Sequence, residues 1–455
     1  MQSLITAQDW PAPTLSNILA PLALLAALLL GGGGSPAPLP ELLAELAVAG
    51  LAAAWLWQRP ADTAPIPWSA LVLAALCLIL PLLQLVPLPP ILWQALPGRE
   101  AERAALALIG EDTAWRSWSI TPARTLAALL AAMPPVAILL LTASAPPHVR
   151  RLLPVIIASF ALLSLLLGAA QLAGGDFSPL RLYAAPSRFL DGFQANHNST
   201  ADLLLIGMIA SALALRLGAQ HGMIPARRGV VLGLAAGTSL LLALGTVLTA
   251  SRTGIALMPL ALVATTAILR PWLAGGRRQL FLLLVIGAAL GGLAALALHG
   301  NDALNRVTAR FDFAGELRPQ IWRDALHAGQ QAFPFGVGMG NFQPALLAAE
   351  RLEVVRPALP NRAHNEALEL LVEGGAAALA LAGAALALVM ARLVTAWRRA
   401  AGENRAELVF AGTALLILIA HSLTDYPLRS LALASLAAGC AGIILALAEP
   451  SGNTQ

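Results

Sequence analysis

About a dozen stretches of roughly 20 mostly apolar residues follow one another along this chain, separated by short polar intervals. Each has the length an α-helix needs to cross the hydrocarbon core of a bilayer. Only 11% of the residues are charged and 58% are apolar, against about 25% charged in soluble domains. More than half of the 455 residues therefore lie in lipid, which leaves no room for a large soluble domain. The sequence reads as an all-α integral membrane protein, a polytopic bundle of about 12 transmembrane helices. Apolar runs bounded by Pro, Gly and charge place those helices near 15–31, 41–57, 68–87, 124–143, 152–173, 198–217, 229–249, 253–269, 279–299, 364–391, 407–423 and 430–448. The first basic residue is Arg59, so the amino terminus lacks the positive region that opens a signal peptide, and the first run is expected to stay as a helix. Cys77 and Cys440 both fall inside apolar runs and read as small core residues, not as a disulfide or metal framework.

The 28 basic residues are all arginine, and with 24 acids they leave a net charge of +4. Their positions say more than their sum, because basic residues in short loops stay on the cytoplasmic side. Four short loops are basic: Arg150 and Arg151; Arg227 and Arg228; Arg270, Arg277 and Arg278; and Arg392, Arg398, Arg399 and Arg405. With twelve helices all four fall on one side and both termini are cytoplasmic. The opposite side then carries long loops at about 88–123 and 300–363 and a shorter one at 174–197. The 300–363 loop is the main polar element, with Arg306, Arg310, Arg318, Arg323, Arg351, Arg356 and Arg362. Within it Leu317 to Phe333 reads as an amphipathic helix lying along the membrane surface, its apolar members Ile321, Trp322, Leu326 and Phe333.

Several polar residues on that outer side stand out. Arg252, in Ser251-Arg252-Thr253-Gly254, sits alone at the junction of two apolar helices, where an arginine needs a partner, water or an anionic ligand. Arg318 and Arg323 offer guanidinium forks, and two or three such groups converging hold a diphosphate without a metal. Asn361-Arg362-Ala363-His364-Asn365-Glu366 lies at the mouth of the tenth helix. There His364 suits a general base or a phosphate partner, and Glu366, Glu369 and Glu373 occupy the first two helical turns, where the helix dipole favours them. Asn196 and His197 precede the sixth helix, which Asn198 or Ser199 is expected to cap. Gly336-Val337-Gly338-Met339-Gly340-Asn341-Phe342 lacks the G-x-G-x-x-G spacing and a preceding strand, so it reads as a tight turn that lets backbone approach a ligand or the bilayer. Arg429 breaks the positive-inside pattern and is expected to pair with Asp425 or with a ligand phosphate. No metal-ligand spacing, Walker A loop or Ser-His-Asp signature occurs, and no cofactor, metal or nucleic-acid partner is expected.

Taken in order, Asn196-His197-Asn198, Ser251-Arg252-Thr253-Gly254, Arg318 with Ile321-Trp322, Gly336 to Phe342 and His364-Asn365-Glu366 resemble the O-antigen ligase and polymerase family. The resemblance covers about residues 185–390, with residues 1–184 and 391–455 as flanking transmembrane segments. It implies a GT-C-like glycosyltransferase of the bacterial inner membrane. Such an enzyme transfers a glycan from undecaprenyl diphosphate to lipid A-core, or to another lipid-linked repeat unit, on the periplasmic face with inversion. By motif, Arg252, Arg318 and His364 would be catalytic. Asn196, His197, Arg323, Arg362, Asn365, Glu366 and Arg429 would bind substrate, with Glu366, Glu100 or Glu111 as competing bases. The common Gly-Arg pairing is absent before Arg318, where the chain reads Gly315-Glu316-Leu317-Arg318, and this leaves Arg323 as an alternative. A transporter or flippase is the reading from another class, since it also shows many helices and intramembrane charge.

Overall fold

The computed structural model describes residues 15–33, 38–58, 65–183, 187–273, 316–351 and 360–450, with the single positions 309 and 353. The spanning helices in chain order begin with α1 (Leu15–Leu30), α2 (Pro38–Gln58) and α3 (Trp68–Leu85). A two-residue antiparallel pair, β1 (Pro87–Leu88) with β2 (Arg116–Ser117), brackets the short helices α4 (Pro90–Trp93) and α5 (Glu100–Leu108). Next come α6 (Pro122–Ala143), the single turn α7 (Pro147–Arg150), α8 (Leu152–Ala173), α9 (His197–Gln220), α10 (Arg228–Leu248) and α11 (Arg252–Ile268). The polar loop contributes α12 (Arg318–Gln331) and α13 (Phe342–Ala349), and the chain closes with α14 (Glu366–Arg399), α15 (Gly402–His421) and α16 (Leu431–Ala448).

Nine of these helices are long and apolar enough to cross a membrane, and α1 and α11 are shorter apolar helices. The protein is a multi-pass, all-α membrane protein. Eleven of the twelve expected helices thus appear among the described residues, and the one expected at 279–299 lies outside them, as do Arg277, Arg278, Arg306, Arg310 and Arg356.

The centre of the bundle is α9, from which Leu203, Leu204, Leu205, Ile206, Met208 and Ile209 are all fully buried. It packs on α8, α10, α11 and α15. Lipid tails are as apolar as leucine, so close packing and not hydrophobicity holds such helices together. Small residues supply it: Gly207 lies against Ala161 of α8, Gly245 of α10 against Leu165 and Leu204, and Gly442 of α16 against Thr142 of α6. The outer faces are apolar too. On α3, Leu71, Ile79, Leu82 and Leu83 are exposed, and so is Cys77, which corrects its reading as a core residue; Cys440 is buried as expected.

One end of the bundle gathers Arg150 and Arg151, paired with Glu407 and Glu403, and Arg216, which donates to the carbonyls of Ile268 and Gly402. Arg392 and Arg399 reach Glu449 and the Ala448 carbonyl. This end holds the basic short loops. The opposite end holds the starts of α9, α11, α14 and α16, the end of α15 and the polar loop.

Near that second end α14 is broken. Gly375 has φ 58° and ψ −144°, a conformation open to glycine. Broken backbone at membrane depth survives only where its polar groups find new partners. Residues 334–340 provide them. Ala376 N–H donates to the Pro334 carbonyl at 2.9 Å, Val337 N–H to Val372 at 3.0 Å and Gly338 N–H to Glu373 at 2.8 Å. Gln84 of α3 joins in, donating to the Glu373 carbonyl and accepting from Met339 N–H. The glycine-rich turn is therefore a clamp on a helix break. A side chain at Gly336 would collide with the backbone of Glu373 and Gly374.

The amphipathic helix is α12, within one residue of the expected start, and small residues make up its packed face. Ala325, Ala328 and Gly329 are buried, Gly329 against Leu371 of α14, while Leu326 and Phe333 are exposed. Its small side chains seat it on α14 and α13, together with Phe342, Leu346 and Val372.

Candidate functional site

At the polar-loop end, five segments distant in sequence meet. His364 lies just outside α14, with φ 50°, and Asn365 caps the helix by accepting from Leu368 N–H at 3.1 Å. The helix expected to start at 364 thus starts at Glu366, with His364 outside it. Its imidazole Nδ1 sits 2.9 Å from Asp425 Oδ1, and its ring stands edge-on to Tyr426, with centroids 5.1 Å apart. Among the described residues, His364 and Ala250, two positions before Arg252, are the non-glycine residues with positive φ. Such backbone costs about 1–3 kcal/mol and concentrates at functional sites.

Asp425 is buried at 2% side-chain exposure, whereas His364 keeps 28%. Burial alone would raise the carboxyl, but the hydrogen bond and charge of His364 hold it down to about 2. Asp425 is thus a carboxylate facing Nδ1; in the neutral form of the ring, the Nδ1–H it accepts places the lone pair on Nε2. Its other oxygen lies 3.4 Å from Asn196 Nδ2. Asn196, not Asn198 or Ser199, caps α9 by accepting from Asn198 N–H. Burial, then the Asp425 charge, pushes the Tyr426 hydroxyl up to about 12, so it stays protonated.

Arg252 opens α11, behind its N-cap Ser251. Thr253 Oγ1 lies 2.9 Å from Thr424 Oγ1, which ties this helix start to the turn that carries Asp425. Arg252 is ion-paired with Glu316, and Arg318 reaches the same carboxylate at 3.9 Å. Burial by itself would raise Glu316; the Arg252 guanidinium, then Arg318, hold it below the usual carboxylate range. One carboxylate between two guanidinium groups marks a place where anionic oxygens are stabilised. Arg323 is exposed. At about 100° per residue it stands about 140° round α12 from Arg318.

The other expected residues divide. Arg362 pairs with Glu369 at 3.3 Å and lies over the Tyr426 ring at 5.8 Å. Asn365 also donates to the Leu423 carbonyl. Glu366 is 9% exposed, accepts from Leu428 N–H at 2.7 Å and donates its own N–H to the Ser422 carbonyl, so it staples α14 to the α15–α16 turn. Arg429 is not paired with Asp425. Its guanidinium contacts Glu373 at 2.7 Å and Glu369 at 3.6 Å, both glutamates fully buried, and they raise its basicity against the opposing effect of burial. Glu100 and Glu111 are exposed on the first loop.

His197 turns away from its neighbour Asn196. Its ring lies 4.6 Å from that of Phe189, and it lines a cavity of about 410 Å³ with Arg181, Tyr183, Asp191 and Gln194. Burial pushes Asp191 there up to about 6, against the pull of Arg181. Among the described residues no group of three or more His, Cys, Asp or Glu is placed to hold a metal ion.

Sequence reasoning missed Asp425 as the partner of His364, Glu316 as the bridge between the arginines, and a second His–Asp contact, His421 Nδ1 to Asp202 Oδ1 at 2.7 Å. The signal available for the last was an acid one turn inside an apolar helix.

Residues 237–383 match the family described as O-antigen ligase. That span contains Arg252, Glu316, Arg318, Arg323, Arg362, His364, Asn365 and Glu366, while Asn196, His197, Asp425 and Arg429 lie outside it. No curated protein matches the chain.

Proposed function

We propose that this chain, whose residues 237–383 match the O-antigen ligase family, is an inner-membrane glycosyltransferase of that family. It takes a glycan from undecaprenyl diphosphate and joins it to a hydroxyl of lipid A-core on the periplasmic face, without a metal and with inversion. The observation that carries this reading is the proximity of the Arg252–Glu316–Arg318 bridge to the His364–Asp425 pair at one end of the bundle, joined by the Thr253–Thr424 contact. The far end is the one with basic short loops, which the positive-inside rule assigns to the cytoplasm.

The chemistry follows from these groups. The acceptor hydroxyl attacks the anomeric carbon from the face opposite the diphosphate. The C1–O bond to phosphate breaks with its electron pair leaving on the diphosphate, and the hydroxyl proton passes to His364 Nε2. Arg252 and Arg318 bind the diphosphate oxygens, where charge grows as the bond breaks. Asp425 keeps the imidazole in the tautomer that presents Nε2 and stabilises the imidazolium that forms. Asn196 holds Asp425 in turn. Arg362 and Asn365 flank His364 along the chain; Glu366 and Arg429 hold the turn and the helix start beside it.

Deletion of the gene, followed by analysis of lipid-linked glycans and lipopolysaccharide, tests the assignment. Long chains left on undecaprenyl diphosphate beside bare lipid A-core are expected. Single repeat units on their acceptor would indicate a polymerase instead. Unchanged glycans refute both.

A further inference from the structure

Beneath the His364–Asp425 pair lies a second one that the proposed reaction does not use. His421, the last residue of α15, and Asp202, in the second turn of α9, are 1% and 0% exposed. Ionisable side chains this deep in an apolar bundle are costly and are retained where they serve the site. Their placement says what they serve. The His421 carbonyl accepts the N–H of Asp425 at 2.8 Å and of Thr424 at 2.9 Å. The residue whose side chain is fixed by Asp202 therefore carries, through its backbone, the turn that presents Asp425. The same helix reaches Asp425 again from its N-cap, through Asn196. α9, the most buried span of the bundle, thus holds Asp425 by two routes.

We propose that Asp202 and His421 are positioning residues: their buried contact fixes the Thr424–Asp425 turn so that Asp425 meets His364 Nδ1. The charged and titratable groups around this stack are Asp202 from α9, His364 from before α14, Arg318 from α12, and Asp425 and Tyr426 from the turn itself. Without the pair, the carboxylate stays in place chemically but loses its registration to the imidazole. A misplacement of about 1 Å costs roughly a hundredfold in rate. The step affected is the chemical one, because both routes from α9 end at Asp425, the partner of the base.

The inference rests on His364 being the base, and the test separates the two. Full-length protein is reconstituted with its host's undecaprenyl-diphosphate-linked glycan and lipid A-core, and kcat and donor KM are measured for each variant whose yield and size-exclusion profile match wild type. Asp202→Asn and His421→Leu are expected to lower kcat by about tenfold or more with donor KM within about twofold. His421→Asn, whose Nδ2 stands where Nδ1 stood, is expected to recover most of that loss. Placed in an Asp425→Asn background, Asp202→Asn is expected to cost almost nothing further, since coupled residues are not additive. Wild-type kcat in both single variants, a loss in KM alone, no recovery by His421→Asn, or full additivity with Asp425→Asn each overturns the proposal. Should Asp202→Asn fail to fold, the two His421 variants decide alone. If His364→Gln transfers at the wild-type rate, the assignment of the base has failed and this inference falls with it. A dead His364→Gln beside active Asp202 and His421 variants removes the inference and leaves the base in place.

Discussion

His364 and Asp425, 61 positions apart, meet at 2.9 Å between Nδ1 and Oδ1, at the joint where α14 begins and the α15–α16 turn passes beneath it. The contact orients a partly exposed imidazole with a buried carboxylate, so Nδ1 is committed and Nε2 is the nitrogen left for the reaction. His364→Gln removes the base, and Asp425→Asn presents an amide that no longer fixes the tautomer. Each is expected to lower the transfer rate by about 10²–10⁴-fold with normal membrane insertion, measured as glycan transferred per reconstituted protein.

The same pair makes a prediction about acid. Asp425 is held at about 2, below the ordinary 3.8, so the folded state binds its proton less readily than the unfolded one. That contribution to stability, about 2 kcal/mol, is complete above pH 3.8 and is lost as pH falls through about 2. Unfolding of the detergent-solubilised protein should show wild type ahead of Asp425→Asn by a constant margin from pH 6 to pH 4. The margin should narrow below that; one that grows on acidification would contradict the burial and pairing of Asp425.

Arg318 and Arg323 differ in surroundings, where the sequence placed Arg318 first and left Arg323 as its alternative. Arg318 shares Glu316 with Arg252, and Arg323 is exposed. Arg318→Ala and Arg252→Ala are each expected to cost transfer about 10²-fold or more, as loss of a charge-stabilising donor does, and Arg323→Ala less than about threefold. Reversal of that order in the same assay would move the diphosphate contact to the other face of α12.

What was legible follows from what each residue had to do locally. Spanning helices announce themselves because twenty consecutive apolar residues have few other uses, and Arg252 and His364 stood out because polar groups at such helix ends need a reason. Contacts between segments left no such mark. Arg429 looked like the natural partner of Asp425, four residues away. In the bundle, Glu369 and Glu373 present two buried carboxylates to it and Asp425 is taken by His364. The packed face of α12 was not legible, because the residues that form it are small and carry little apolar signal. Ala325, Ala328 and Gly329 pack because they are small, and Leu326 and Phe333 are left outward. The glycines of 336–340 were recognisable as a turn, but their target, a break in a helix 35 residues on, was not.

That break gives a stability prediction. Gly375 has positive φ, and a Cβ there would overlap the Pro334 carbonyl oxygen. Gly375→Ala combines backbone strain with a steric clash and is expected to cost about 2–4 kcal/mol. Gly383, eight residues further along α14, meets nothing within 4 Å, and Gly383→Ala should be neutral or stabilising by up to about 1 kcal/mol. Thermal unfolding of both variants in one detergent compares them; equal midpoints would show that the break does not require glycine.

Arg429 offers the sharpest separation between holding the fold and holding the donor. Its guanidinium is the shared partner of two fully buried carboxylates, Glu369 and Glu373. Arg429→Met leaves them with Arg362 alone, which reaches Glu369 and not Glu373. Removing one member of a buried ion pair costs about 3–5 kcal/mol, most of it the stranded charge. If Arg429 acts through that pairing, Arg429→Met should lower the yield of folded protein sharply, and adding Glu373→Gln should restore much of it by removing the uncompensated carboxylate. Glycan transfer by the restored double variant then decides its role. Activity within about fivefold of wild type would make Arg429 a support for the turn beneath Asp425, whereas a folded but inactive double variant, with transfer reduced by about 10²-fold or more, would place the guanidinium on the diphosphate itself.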